Sequence, residues 1–108
     1  MNPTISIVVP VYNEGENVIA PVRRILRDVL LPSELLLVYD SPEDTTVPYA
    51  RQLAAEDPRV RPVLNTYGRG PANAIRFGID QARAPVTVVT MADGCDDPRQ
   101  IDELARLV

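Results

Sequence analysis

Four short segments of this sequence concentrate the side chains that could do chemistry: Tyr12 to Glu16, Asp40 to Thr46, Tyr67 to Pro71 and Ala92 to Asp97. In the first, Pro10, Tyr12, Asn13 and Glu14 stand together. An aromatic ring there can pack against a base or ribose while Asn and Glu supply hydrogen bonds. Asn13 or Asn17 can equally cap the helix that follows. The second segment carries Asp40 and Asp44, and Asp40 also suits an Asx-turn. In the third, Gly68 and Gly70 let backbone approach a ligand closely, and Arg69 can fork onto a phosphate near a helix amino terminus. The fourth holds Asp93, Asp96 and Asp97, oxygen donors of the kind that hard divalent cations take, although Asp97 also suits a helix cap.

These segments lie where a repeating strand-helix rhythm needs its loops. Ile5 to Val11 is apolar almost without alternation, as in a strand covered on both faces. From Val18 to Leu30 the apolar positions fall on one helical stripe, with Pro21 tolerable near its first turn. Glu34 to Tyr39 predicts a second strand, and Val47 to Glu56 a helix that Thr46 can cap and Pro48 can open. Val60 to Leu64 predicts a third strand, marked as an edge by Pro62, before a helix from about Pro71 to Ala82. Val86 to Met91 predicts a fourth strand, and Asp97-Pro98 with Gln100 a last helix start. Such units imply an α/β domain with a Rossmann-like parallel sheet, right-handed crossovers and helices on both faces, binding ligands at the carboxyl ends of its strands.

Composition narrows the classes. The chain has 108 residues, enough for one core, with 45% hydrophobic and 24% charged residues. Its net charge is −4, and all 11 basic residues are Arg, so no nucleic-acid track, Walker A loop or Schiff-base lysine is available. The absence of His excludes Ser-His-Asp, Cys-His and His-containing zinc arrangements within these residues. The single cysteine, Cys95, cannot form an internal disulfide, and no apolar run is long enough to span a membrane. A cytoplasmic protein is the expectation, placed at the membrane surface if its acceptor is a lipid.

The string SIVVPVYNEGENV resembles the opening of family 2 glycosyltransferases of the GT-A fold, dolichol-phosphate-mannose-synthase-like members included, where an apolar strand ends in Pro-x-Tyr-Asn-Glu. VYDSPEDTT resembles the family's Val-Asp-Asp-Gly-Ser-x-Asp-Gly-Thr loop at Val38, Asp40, Asp44 and Thr46, and departs from it at Tyr39 and Ser41. NTYGRGPANAIRFGIDQA resembles the Gly-rich segment after the third strand. MADGCDDP occupies the place of the family's Asp-x-Asp, with Ala92 and Gly94 at the usual acid positions and Asp93 between them. The resemblance runs from Ser6 to Leu104 with the motifs in the family's order.

The resemblance implies that residues 1–108 are the donor-binding portion of an inverting transferase. That enzyme would move a sugar from a UDP- or GDP-linked donor to a polyprenyl-phosphate or saccharide acceptor. Donor contacts are expected from Pro10, Tyr12, Asn13, Glu14, Asp40, Gly68, Arg69 and Asp93, with Asp40 accepting from a base N–H. Mg2+ or Mn2+ is expected on Asp93 and Asp96, displaced from the standard motif. The catalytic base and acceptor surface would follow Val108, and a chain stopping within an apolar helical pattern is expected to self-associate and to lack transfer activity by itself. An inactive nucleotide-binding relative remains open because the acid motif is altered. A nicotinamide-dependent dehydrogenase fits less well, since Asn13 to Glu16 offers only Gly15, and a receiver domain lacks its late Lys.

Overall fold

The computed structural model describes residues 3–91. Four parallel strands, β1 (Ile5–Pro10), β2 (Ser33–Tyr39), β3 (Val60–Leu64) and β4 (Val86–Val89), form one sheet in the order β3-β2-β1-β4. Three helices connect them: α1 (Ile19–Asp28), α2 (Val47–Glu56) and α3 (Pro71–Gln81). The strand order reverses direction between β1 and β4, so a crevice opens there at the carboxyl ends of the strands. The α/β sheet read from the sequence is therefore present, and Pro62 lies on an outer strand, as expected for a residue without an N–H to donate.

All six residues of β1 are buried, because the sheet is covered on both faces. On one face Ile5, Ile7, Val9, Leu35 and Leu37 pack with Val22, Ile25 and Leu26 of α1 and with Ala50 and Leu53 of α2. On the other, Val8, Leu36 and Val38 meet Ala74 and Phe77 of α3. Close approach of α3 depends on Gly78, where an added Cβ would stand 2.5 Å from a methyl of Val8. The first helix differs from the sequence reading. A 3-10 turn at Gly15–Val18 precedes α1, which ends at Asp28 rather than Leu30. Four residues of tighter winding deliver Val18 to the core while the preceding loop keeps its own course.

The amino-terminal ends of the strands are fastened by one buried carboxylate. Glu34 accepts from the Ser6 hydroxyl at 2.5 Å, from the Arg83 N–H at 2.6 Å and from the Arg61 guanidinium at 2.6 Å. The Ser6 hydroxyl oxygen in turn accepts from the Ala84 N–H, so the segment entering β4 is tied to β1 and β2. Burial is the largest single influence on the Glu34 carboxyl and pushes its pKa up. The three hydrogen bonds and the charge of Arg61 together outweigh it, and the group is held below its usual value.

A carboxylate whose folded pKa is lowered contributes stability that is present above the unfolded value, about 4.3, and is lost as pH falls through the folded one. Glu34→Gln, which cannot accept from all three donors, should cost about 1–3 kcal/mol near neutral pH. In urea titrations the gap between wild type and Glu34→Gln is expected to narrow as pH drops below about 4. A gap that stays constant with pH would show that Glu34 is not ionised in the fold.

Candidate functional site

The loops leaving the carboxyl ends of the strands carry few backbone ladder bonds, so their N–H groups must find other partners. Side chains supply them. At the end of β1, Asn13 has φ +46, a left-handed conformation that Asn tolerates better than most residues. Its N–H donates to both carboxylate oxygens of Asp44, at 3.1 and 3.0 Å, and its side-chain oxygen accepts from the Thr45 N–H at 3.1 Å. The Glu14 N–H donates to the Thr46 hydroxyl oxygen at 2.9 Å. Asp44 also accepts from the Thr46 N–H at 2.7 Å, and the first two loops are thereby joined by side chain to backbone.

This overturns one expectation about Thr46. It occupies the position before α2 but makes no side-chain cap there. Its hydroxyl faces the Glu14 amide, and the Asp44 carboxylate and carbonyl take the Thr46 and Val47 N–H groups instead. Asn13 likewise bonds across to the second loop rather than capping the helix that follows it.

Asp40 has a comparable role at the third loop. One of its oxygens accepts from the Asn65 side-chain amide at 2.8 Å, the other from the Gly70 N–H at 2.9 Å. Gly70 stands immediately before α3 with φ +114, so Asp40 brings negative charge to that helix's positive end. With the Gly70 N–H engaged and Pro71 lacking one, the outermost donors of this helix end are already spent or absent. Asn65, buried, donates also to the Gly68 carbonyl at 2.6 Å and accepts from the Tyr67 N–H at 2.9 Å. Gly68, at φ +110, shapes this turn.

Between these loops lies a cleft of about 750 Å3. It is bordered by Pro10, Tyr12, Asn13 and Glu14 from the first loop, Asp40 and Asp44 from the second, Arg69 and Gly70 from the third, and Met91 beyond β4. Of the residues expected to contact a donor, Pro10, Tyr12, Asn13, Glu14, Asp40 and Arg69 are brought together here. Gly68 serves the loop and does not border the cleft. The Tyr12 ring is 74% exposed, open to stacking rather than committed to the core. Four carboxylates, Glu14, Asp40, Glu43 and Asp44, face the cleft against one guanidinium, Arg69.

Among the described residues no group of three or more acidic or sulfur side chains is arranged to hold a metal ion. Asp93 and Asp96, expected as metal ligands, lie outside the described residues, as do Cys95 and Asp97. No helix among the described residues is long and apolar enough to cross a membrane. The sequence reading gave Asn65 no part. Its one signal was position, a polar residue just after a strand and three places before a glycine, where a buried amide can serve both neighbours.

Comparison with known proteins gives this arrangement a context. Residues 6–108 match the family model described as glycosyl transferase family 2. A Bacillus subtilis glycosyltransferase is 38% identical over 103 residues, which span 92% of this chain and 32% of that protein. The undecaprenyl-phosphate mannosyltransferase of Micrococcus luteus is 34% identical over 105 residues, spanning 94% of this chain and 42% of that one. A solved mannosyltransferase from Pyrobaculum calidifontis, in complex with GDP-Man and Mn2+, superposes with a TM-score of 0.70 at 26% identity. The superposition covers 86% of this chain and 28% of that structure. The chain thus spans about a third to two fifths of the length of these two curated relatives.

Asn65→Ala removes three hydrogen bonds of a buried side chain and should lower stability by about 2 kcal/mol or more in urea denaturation. Exchange of the Gly70 amide should accelerate beyond the global effect. A loss below about 0.5 kcal/mol would mean that water replaces the amide without cost.

Proposed function

The chain belongs to glycosyl transferase family 2, and on that premise we propose that its strand-end cleft takes up the nucleotide of a UDP- or GDP-linked sugar. One observation carries this reading: Tyr12, Glu14, Asp40 and Arg69, from three separate loops, border a single cleft of about 750 Å3, a volume suited to a small-molecule ligand. Tyr12 offers a ring face to the base or ribose, and Glu14 a carboxylate to ribose hydroxyls. Asp40 accepts from a base N–H with the lone pairs left free by Asn65 and Gly70, since a carboxylate has roughly four acceptor sites. Arg69 turns toward the diphosphate.

In the complete enzyme the sugar would pass to a polyprenyl-phosphate or saccharide acceptor with inversion. An acceptor oxygen would form its bond to the anomeric carbon as the bond to the nucleoside diphosphate breaks. The M. luteus relative, named for undecaprenyl phosphate, supports a lipid-phosphate acceptor and work at a membrane surface. The chain's own part is to bind and orient the donor; none of its described residues is proposed as the base that deprotonates the acceptor.

The charge around the cleft supports use of a cation, because a diphosphate brought among four carboxylates and one guanidinium meets net repulsion. The structure described with Mn2+ points the same way. Mg2+ or Mn2+, on Asp93 and Asp96 in this reading, would neutralise the leaving diphosphate.

Calorimetric titration of GDP and UDP should show binding that Asp40→Asn weakens by about 1.5–3 kcal/mol, with or without metal. Unchanged affinity would remove Asp40 from base recognition. Asp93→Asn should abolish the Mn2+-dependent part of binding and leave the weaker metal-free part, an amide being a poor ligand for a hard dication. Wild-type binding with no metal dependence would favour the inactive-relative reading. The 108 residues alone should transfer no sugar to a lipid phosphate; measurable turnover would show that no further acceptor-side elements are needed.

A further inference from the structure

Two residues that no donor contact requires support the wall of the cleft, Asp44 at its border and Thr46 buried behind it. Asp44 is 7% exposed, and its carboxylate accepts from the N–H groups of Asn13 and Thr46. Thr46 is 0% exposed, does not border the cleft, and accepts from the Glu14 N–H. The residues they hold are Asn13, in a left-handed conformation, and Glu14, the start of the 3-10 turn. Tyr12 and Glu14 therefore owe their directions to bonds from the next loop. Free of those bonds, the β1 loop keeps the Asn17 N–H to Glu14 carbonyl contact at 3.1 Å and the Thr45 N–H to Asn13 side-chain contact at 3.1 Å.

We infer that Asp44 and Thr46 are positioning residues for donor binding: they latch the amides of Asn13 and Glu14 so that Tyr12 and Glu14 face the cleft before the nucleotide arrives. The inference rests on the donor reading above and adds the device that makes the first loop ready. A loop ordered in advance does not have to be ordered at the expense of binding, so the latch should appear in affinity and not only in stability. Thr46 tests this cleanly. Valine matches threonine in shape and removes the acceptor, whereas serine keeps the acceptor and removes a methyl.

The experiment uses the chain with GDP and UDP as probes, and compares wild type, Thr46→Val, Thr46→Ser and Asp44→Asn. Amide exchange of Asn13 and Glu14 is followed without ligand, and affinity is corrected for the folded fraction. Thr46→Val is expected to accelerate exchange of the Glu14 amide and to weaken nucleotide binding about fivefold, the equivalent of one lost hydrogen bond near 1 kcal/mol. Thr46→Ser should restore both. Asp44→Asn, which loses the charge and puts an NH2 group where the second oxygen accepts from the Asn13 N–H, should accelerate exchange at Asn13 and weaken binding likewise, and carries the test if Thr46→Val does not fold. Equal affinities of the folded proteins would overturn the inference by making Thr46 and Asp44 purely structural. Unchanged exchange at Asn13 and Glu14 would overturn the latch itself. A wild type that binds neither nucleotide would overturn the donor reading, while the exchange arm would still report whether the latch exists.

Discussion

Backbone amides that leave a parallel sheet have no ladder to enter, and every loop of the site depends on how this is met. Here side chains meet it, Asn13 among them through the Thr45 N–H. Asp44 and Thr46 serve the first two loops, and Asp40 and Asn65 the third. Carboxylates suit the task because each offers several acceptor sites and no donor, so one side chain can gather N–H groups from more than one loop. The result is a cleft whose walls are tied to each other rather than to the sheet alone. Two of the four carboxylates that border the cleft, Asp40 and Asp44, are such acceptors, and the excess of acids leaves a diphosphate ligand in need of a cation.

The opposite end of the sheet uses the same solution for a different purpose. Glu34 gathers a hydroxyl, an amide and a guanidinium where no ligand is expected, and its burial is tolerated because all three donors converge on it. One carboxylate fixes the crossover into β4 at the amino-terminal end, and Asp40 fixes the start of α3 at the carboxyl end. Packing fills the space between, with Gly78 allowing α3 to approach Val8 closely.

The architecture was legible in the sequence because burial on both faces leaves an unmistakable record. Uninterrupted apolar runs such as Ile7 to Val9 and Leu35 to Val38, bounded by turn residues, read as inner strands, and Pro62 identifies an outer one. The loops were legible as places, since acids and glycines cluster there, but not as wiring. Nothing in a sequence separates an Asp44 that accepts from a neighbouring loop from one that closes its own turn, because the partner lies 31 residues away. Thr46 was read as a helix cap for the same reason: its position fits a cap, and only the distant Glu14 amide shows where its hydroxyl goes. The 3-10 turn at Gly15–Val18 was hidden because apolar spacing reports which residues are buried, not how tightly the backbone winds.

The proposed donor role requires that this cleft, rather than another surface of the described residues, receive a nucleoside diphosphate. Backbone amide shifts recorded during titration with GDP and UDP in the presence of Mg2+ test it most directly. The largest changes are expected together at Tyr12 to Glu14, Asp40 and Gly68 to Gly70, the residues that border the cleft or shape its third loop. Changes concentrated instead around the groove formed by Arg23, Arg27 and Arg59, or no saturable change anywhere, would contradict it.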